Sequence, residues 1–568
     1  SNEISKDTIR EIARIYYAEL LKRQPNPNFD AFLDKWKKIL FPNGTKLQFD
    51  YPHQSATGFK FSISPDTMHV NLMKAKIESG LKYFPKSFNE KTLVHSGIQY
   101  LEPQLEFIHE NTGKITKDFH PMRGLVNNRP YDSPLNGNVF DAEINLGVIC
   151  PLAFNDKLFH FLNRLNQQQS SGTYNPDYLL DYPGFLSAYS IPLNIPHSKS
   201  ERWQDCTMPE NAQDLKQAAL ALLTTIKKRI DQLETVNKKL VVVIFIPTSW
   251  NAFTIIDDEQ EKFDLHDHIK AYAAQRGIAT QFIREDTLSD PLICQVNWWL
   301  SLAFYVKALR TPWILTGLEP KTAFVGIGYS VNHKREKEKV VLGCSHIYNA
   351  SGQGLKYKLS RVEDCYIDKK NNPFLSYQDA YKFGVFIREL FFNAIGELPT
   401  RVVVHKRTHF KRDEINGIVD SLKKSGIEQI DLIEINFEED ARFISLTLKD
   451  DQFVPHPFPL SRGTCFLLDT MSALLWTHGI VPSVKADYRN YYLGGKNIPE
   501  PLKIRKHYGP SNISTIATEI LGLTKMNWNS FDLYSKLPAT IQTSNEIARI
   551  GWLLSRFEGK TYDYRNFM

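Results

Sequence analysis

Apolar residues recur every three to four positions between Asp7 and Arg23, at Ile9, Ile12, Ala13, Tyr16, Leu20 and Leu21, which predicts an amphipathic helix. The loop Gln24-Pro25-Asn26-Pro27-Asn28 ends it, and a second helical run from Phe29 to Leu40 stops before Phe41-Pro42-Asn43-Gly44. From there to about residue 90 the pattern is mixed and carries no assignable chemistry. Between Ile98 and Leu146 the chain is rich in Pro, Gly and Asn. Here Leu101-Glu102-Pro103-Gln104-Leu105 and Pro121-Met122-Arg123-Gly124-Leu125 read as short strands in a connecting segment wrapped on a larger body.

The pattern then alternates. Ile144 to Ile149 reads as a buried strand, Leu158 to Asn166 as a helix, and Ala212 to Lys228 as a long amphipathic helix. Leu240-Val-Val-Val-Ile-Phe-Ile246 is short, β-branched and apolar, as in a central parallel strand. Asp264 can cap a helix from Leu265 to Gln275, Gly277 can end it, and Ile278 to Ile283 is the next strand, followed by a helix from Val296 to Leu309. This layout predicts a doubly wound, Rossmann-like α/β domain. From Ala323-Phe-Val-Gly-Ile-Gly-Tyr-Ser330 onward, strands come first (again near Val340 to Ser345). A helix from Ser376 to Ile395, a strand from Arg401 to His405 and a helix from Arg412 to Lys424 follow. That order suits a ribonuclease H-like mixed sheet. The reading is an α/β protein with a small, mostly helical N-terminal region (1–92), a lead-in segment (93–142), a Rossmann-like domain (143–320) and a ribonuclease H-like domain (321–568).

Composition narrows the class only a little. With 568 residues, 42% apolar and 23% charged, the chain suits about three globular domains and excludes wholesale disorder. A net charge of +6 permits a polyanionic partner without requiring one. The six cysteines stand singly, so neither a zinc site nor a disulfide framework is indicated. The longest apolar run falls far short of a membrane span. No charged-then-apolar leader opens the chain, Ser1-Asn2 reads as a processed end, and a cytoplasmic location is expected.

His266 and Lys270, four apart, leave one helix on the same face. Gln281 stands on the next strand and Lys307 near the end of the following helix. Two amines, an imidazole and an amide converging at the ends of α/β elements would suit a terminal phosphate, which carries about −1.5 to −2 charges. A solvated helix face is the alternative.

The stretches Phe263-Asp-Leu-His-Asp-His-Ile-Lys270, Thr280-Gln-Phe-Ile283 and Leu302-Ala-Phe-Tyr-Val-Lys307, with Thr311-Pro312-Trp313 behind them, resemble the middle (MID) domain of Argonaute proteins. Ser461-Arg-Gly-Thr464, Leu474-Leu-Trp-Thr-His-Gly479, Pro499-Glu-Pro-Leu502 and Leu523-Thr-Lys-Met-Asn-Trp-Asn529 are similar to the PIWI domain. Leu101-Glu-Pro103, Pro121 to Leu125 and Tyr182-Pro-Gly-Phe185 are similar to the lead-in of short prokaryotic Argonautes, which lack a PAZ domain. The resemblance covers roughly residues 95 to 568. It implies that His266, Lys270, Gln281 and Lys307 bind the 5′ phosphate of a guide. It also implies that Gln281 and a terminal carboxylate at Met568 hold a Mg²⁺ bridging guide phosphates, with a frayed terminus as the alternative.

In cleaving relatives, acids on the first strand, at the end of a later strand and on the last helix hold two metal ions. Here those positions are Gly328, Arg407 and Asn545, while the mobile fourth acid has no assigned position. An Arg would repel a divalent ion by roughly 8 kcal/mol at 4 Å in an effective dielectric near 20. Arg407 with Lys406 and Lys411 reads instead as a cationic cluster for strand phosphates, as do Lys525 and, more weakly, Arg549, with an ordinary basic turn as the alternative. The resemblance thus implies a non-cleaving Argonaute that loads a small guide RNA and recognises complementary single-stranded DNA of plasmids or phage. It would pass the signal to an APAZ-domain effector held as a heterodimer. Two other readings stay open: a nuclease using other acids (Glu363, Asp364, Asp469 or Glu546), and a nucleic-acid-binding scaffold.

Overall fold

The structure, a computed structural model, describes residues 100–568 except 173–176, 209–213, 257–262, 320, 332–339, 348–354, 363–364, 438–440, 442, 444–445, 450–451, 456–459, 487–488, 492–497 and 555–559. Before residue 100 it describes the strand segments Gln48–Asp50, Lys60–Ser64, Val70–Asn71, Lys74–Ile77 and Val94–Gln99. The helices expected at Asp7–Arg23 and Phe29–Leu40 lie outside the described residues, as do Glu363 and Asp364. The described segments of the N-terminal region are strands, where a mostly helical region was expected.

The chain divides into two compact units. One comprises residues 103–434, 507–510 and 522–568; the other comprises the described parts of 1–102 with 435–506 and 511–521. In the first unit, β1 (Ile144–Cys150) lies between the short strand Trp203–Asp205 and β2 (Val241–Ile246), and β2 pairs with β3 (Ala279–Arg284), all parallel. Every residue of β2 is buried, as its unbroken apolar run requires of a strand covered on both faces. Val242, Ile244 and Ile246 pack against α1 (Leu215–Val236) and α2 (Leu265–Ala274), and Phe245 meets Phe154 at 5.1 Å.

The helix α1 runs eight residues beyond its expected end at Lys228, because Ile230 and Leu233 continue the buried stripe of Ala219, Leu222 and Ile226. It begins at Asp214, whose carboxylate accepts from Gln217 N at 2.7 Å. Asp264 caps α2 in the same way, accepting from Asp267 N at 3.2 Å, and Gly277 turns the chain with φ +74°. The next helix, α3 (Ile293–Lys307), is buried around most of its girth.

The lead-in segment corrects two expectations: the strand expected over Leu101–Leu105 begins only at Leu105, and Pro121–Asn127 is a helix, not a strand. His120 caps it, Pro121 pre-sets φ in the first turn, and Met122 and Leu125, three apart, are both buried. The strands of this segment are Leu105–Ile108 and Ile115–Asp118, and Ile314–Leu315 pairs with the former. Asp132, buried, accepts from Thr311 N at 2.8 Å and from the Tyr305 hydroxyl, so the lead-in is tied to the end of α3.

The second sheet of this unit is mixed. The strand β4 (Thr322–Val331) pairs antiparallel with β5 (Val340–Ile347), which pairs antiparallel with β6 (Leu355–Val362). On its other edge β4 pairs parallel with β7 (Arg401–Lys406), and β7 with β8 (Gln429–Phe437). Two helices, α4 (Tyr377–Ile395, capped by Ser376) and α5 (Arg412–Lys424), cover one face through Phe383, Ile387, Ile418 and Leu422. The helix α6 (Ala539–Gly551) covers the other. Finally β9 (Thr561–Asp563) joins β6 and leads into the turn Tyr564–Asn566. A Rossmann-like parallel sheet followed by a ribonuclease H-like mixed sheet is the α/β architecture that the hydrophobic pattern predicts.

In the other unit, the motif residues Ser461 to Thr464 and Thr477 to Gly479 meet around one buried side chain. Arg462 pairs with Glu102 at 3.2 Å and donates to the carbonyls of Thr477 at 2.8 Å and Leu521 at 3.2 Å.

Two buried imidazoles make the fold acid-sensitive. Burial lowers His120 to about 4 and His405 to about 3. Both values lie below the unfolded pKa of about 6.5, so the unfolded chain binds more protons on acidification. The stability each neutral ring contributes is complete above pH ~6.5 and is lost as pH falls towards the folded value. Thermal melts are expected to drop steadily below pH ~6.5, His120 alone costing about 3 kcal/mol by pH ~4. A melting temperature flat down to pH ~4.5 would contradict these assignments.

Candidate functional site

Helix α2, β3 and α3 bring the two lysines together. Lys270 and Lys307 are both buried, at 1% and 5% exposure, and each charge is felt by the other. Lys270 Nζ donates to Thr280 O at 2.6 Å and to the main-chain oxygen of Met568, and Lys307 Nζ donates to Gln281 Oε1. Gln281 completes the arrangement by donating from Nε2 to Phe282 O at 2.9 Å. Burial pulls Lys270 down to about 7; burial and the neighbouring Lys270 charge hold Lys307 well below the ordinary range.

His266 stands at the rim, half-exposed, with its ring 4.7 Å from that of Phe282. Burial and the Lys270 charge lower its pKa against the opposing pull of Asp267. Asp267 is ion-paired with Arg549 of α6 and lies 3.4 Å from His266 Nδ1. Burial raises the Asp267 carboxyl, but His266 and Arg549 outweigh it and leave it below the ordinary value. Asp264, His266 and Asp267 lie close enough to share an ion. However, Asp264 is occupied as a helix cap and Asp267 by Arg549, so this is a capping network.

The chain's last described segment reaches this pocket through a set of anchors. Asp563 pairs with Arg565 at 2.6 Å, and Arg565 Nη1 donates to Leu309 O at 2.8 Å. Leu309 has φ +61°, an unusual conformation for leucine, just beyond the end of α3. Tyr564 donates to Glu546 and accepts from Asn529 Nδ2 at 3.2 Å, and Phe567 packs against Tyr357 at 5.0 Å.

Gln281 Oε1 and the Met568 oxygen are hard donors of the kind Mg²⁺ takes. One further side-chain oxygen, Asn566 Oδ1, two residues before Met568, is buried and makes no hydrogen bond. The donor set therefore fits a hard cation. Since Lys270 and Lys307 occupy two of its members, such an ion would need an anion to take over those ammoniums.

At Gly328, one of the positions where the resemblance implies an acid in cleaving relatives, the geometry is steric. Gly328 of β4 stands directly opposite Gly343 of β5, and α6 crosses both. A Cβ at Gly328 would lie 2.2 Å from Ser544 O and 2.6 Å from Asn545 N, and one at Gly343 would lie 2.8 Å from Ser544 O. The helix backbone fills the space that a side chain on the first strand would enter. Of the acids considered for a different nuclease centre, Glu546 is held by Tyr564, and Asp469 caps an exposed turn by accepting from Met471 N at 2.7 Å.

The expected cationic cluster at Lys406, Arg407 and Lys411 is not formed. Successive strand residues face opposite sides of a sheet. His405 points to α6, its Nδ1 2.8 Å from Thr540 Oγ1, while Lys406 points to α5 and pairs with Glu414 at 2.5 Å, both 1% exposed. Lys406 is a core ion pair, unavailable to a strand phosphate. Lys411 Nζ lies 3.3 Å from the centre of the Tyr366 ring, and Arg407 is half-buried. Lys525 is also buried, its Nζ 5.8 Å from the Phe119 ring, in place of the solvent-facing position expected of a backbone contact. Arg549 is exposed beyond its pairing with Asp267. Sequence reading missed Glu414, Thr280 and Asn566; a capping Glu three residues into α5 was the available sign for the first.

No family model matches the chain. In sequence it is 25% identical over 305 residues to the protein argonaute of Aquifex aeolicus (strain VF5), a match that spans 52% of this chain and 36% of that protein. A structure of Clostridium butyricum Argonaute bound to a guide DNA and a 19-mer target DNA superposes with a TM-score of 0.58 at 17% identity, over 83% of this chain and 54% of that one. Drosophila Piwi gives 0.55 at 11% identity, over 89% and 58%. Aquifex aeolicus Argonaute with externally bound siRNA gives 0.53 at 18%, over 100% and 64%. The chain thus spans less than two thirds of the length of each of these relatives. No helix of the described residues is long and apolar enough to cross a membrane. The fold is thus that of the MID–PIWI part of Argonaute structures, and over about half of its length the sequence is similar to an Argonaute.

Proposed function

We propose that this protein binds a small guide RNA by its 5′ phosphate, pairs it with complementary single-stranded DNA, and does not cut. The observation that carries the reading is the pair of buried lysines, Lys270 and Lys307, which face main-chain and amide oxygens rather than a side-chain carboxylate of their own. Burying two like charges is costly without anionic partners, and a terminal phosphate dianion offsets that cost. The Clostridium butyricum relative was captured with guide and target DNA, and the Aquifex aeolicus one with siRNA, which supports a nucleic acid as the ligand.

The absence of cleavage is proposed from the seat of α6 on Gly328 and Gly343, which leaves no room for an acid side chain at position 328. A protein that reads a target without cutting it needs an output. We therefore propose an APAZ-domain effector as its partner, in defence against plasmids or phage in the cytoplasm. In this scheme the Rossmann-like part anchors the guide end, and base pairing does the sequence reading.

The test is binding of short RNA with a 5′ phosphate against the same RNA with a 5′ hydroxyl. Wild-type protein is expected to prefer the phosphate. The Lys270→Ala/Lys307→Ala pair is expected to lose affinity for it on the order of 100-fold, two charge-assisted contacts being removed. Equal binding of both ends by the wild type would contradict the reading. RNA cut or DNA cut by the wild type in Mn²⁺ would contradict the proposed inactivity.

A further inference from the structure

We propose that Asn566 is a cation-positioning residue of the lysine pocket, supplying Oδ1 to a divalent ion that binds together with a terminal phosphate. This rests on the reading of the pocket as a phosphate site. Asn566 is buried at 6% exposure, and its Oδ1 makes no hydrogen bond. A buried acceptor without a partner costs about 1–3 kcal/mol, so its retention calls for a ligand. The turn Tyr564–Asn566 packs directly on α2, α3 and β3, the elements that carry Lys270, Lys307 and Gln281. Two residues further on, the Met568 oxygen meets Lys270. The contacts of Arg565 with Asp563 and Leu309 O anchor the turn that carries Asn566.

The chemistry selects the ligand. A phosphate dianion brings only acceptors, which cannot satisfy an amide oxygen. A hard divalent cation bonds to amide and phosphate oxygens at once. The two lysines repel such an ion, and nearby acids do not offset them, because Asp267 is committed to Arg549 and Glu546 to Tyr564. Cation uptake should therefore require the phosphate. Gln281 Oε1, the Met568 oxygen and Asn566 Oδ1 then form the protein's share of the shell, with the phosphate supplying the rest.

The test follows Mn²⁺ binding to the full chain by electron paramagnetic resonance, with 5′-phosphorylated and 5′-hydroxyl RNA, alongside RNA binding in EDTA. Wild-type protein should take up Mn²⁺ with the phosphorylated RNA only. Asn566→Leu should weaken Mn²⁺ about tenfold or more while leaving RNA binding in EDTA unchanged, and Asn566→Asp should tighten Mn²⁺. Wild type that takes up no Mn²⁺, or Asn566→Leu that binds it as the wild type does, overturns the proposal. If the Leu variant does not fold, the Asp variant decides, and unchanged Mn²⁺ affinity overturns the proposal. Preference for the phosphorylated end in EDTA, persisting while Mn²⁺ is indifferent to residue 566, removes only the role of Asn566. Loss of that preference in the wild type removes the phosphate pocket as well.

Discussion

Gly328→Asp is expected to lose about 4 kcal/mol or more of stability and to gain no cleavage activity. The Cβ alone would sit 2.2 Å from Ser544 O, and real Cβ atoms essentially never approach other atoms closer than 3.0 Å. No side-chain rotation relieves a clash at Cβ, so α6 itself must move. The helix is held at both ends against that movement. Thr540 bonds His405 at 2.8 Å, and Trp552 Nε1 donates to Ser330 Oγ at 2.8 Å. Opposite Gly328, Gly343 meets the same carbonyl, so the obstruction extends over two strands. Chemical denaturation of Gly328→Ala and Gly328→Asp measures the effect, and Ala should already cost most of it. A variant as stable as the wild type would show that α6 is not seated in the notch. Mn²⁺-dependent cutting by Gly328→Asp would show that the space for metal survives.

Glu414→Ala is expected to destabilise the ribonuclease H-like part by about 3–5 kcal/mol, the range for removing one member of a buried ion pair. Its Oε1 accepts from Lys406 Nζ at 2.5 Å and from Leu375 N at 3.0 Å, and its Oε2 accepts from Lys411 N at 2.9 Å. Removing the carboxylate strands an ammonium at 1% exposure and two main-chain donors. Lys406→Met/Glu414→Leu should recover much of the loss, since a packed apolar pair replaces the ions, but not the part due to the Leu375 and Lys411 N–H groups. Urea unfolding of the single and double variants separates these contributions. A double variant no more stable than Glu414→Ala would mean that the backbone donors, not the charge, carry the cost. Nucleic-acid binding is expected to survive Lys406→Met, because Lys406 faces the helices α4 and α5 and not a strand.

Spacing showed only that His266 and Lys270 share a helix face; the reading of Lys270, Gln281 and Lys307 as one site came from the Argonaute resemblance. Lys270 and His266 are one helical turn apart, and the cap at Asp264 sets where that turn begins, so their shared face follows from local geometry. What spacing left open was depth. His266 and Lys270 differ in burial because Lys270 lies beneath Met568 and Thr280, contacts made by residues 298 and 10 positions away. The same limit applies to Lys406, Arg407 and Lys411. As a string they are three cations in six residues; in the fold Lys406 is buried against Glu414, and Lys411 lies against the Tyr366 and Phe374 rings. Pro121 to Leu125 was misread because a short apolar run fits either a strand or a helical turn, and the deciding interaction is the His120 side chain accepting from Arg123 N.

The sequence alone determined the strand–helix alternation from Ile144 to Lys424 and the cap at Asp264, because periodicity and capping act between residues a few positions apart. It also places a glycine, Gly328, where the Argonaute resemblance implies an acid in cleaving relatives. Tertiary structure alone decided that this glycine is needed, since only the crossing of α6 over Gly328 and Gly343 closes the space. It likewise decided that Lys406 belongs to the core and that the turn carrying Asn566 packs on the elements that carry the lysines. Each of these depends on a neighbour distant along the chain, and desolvation and steric exclusion act through space with no trace in local pattern.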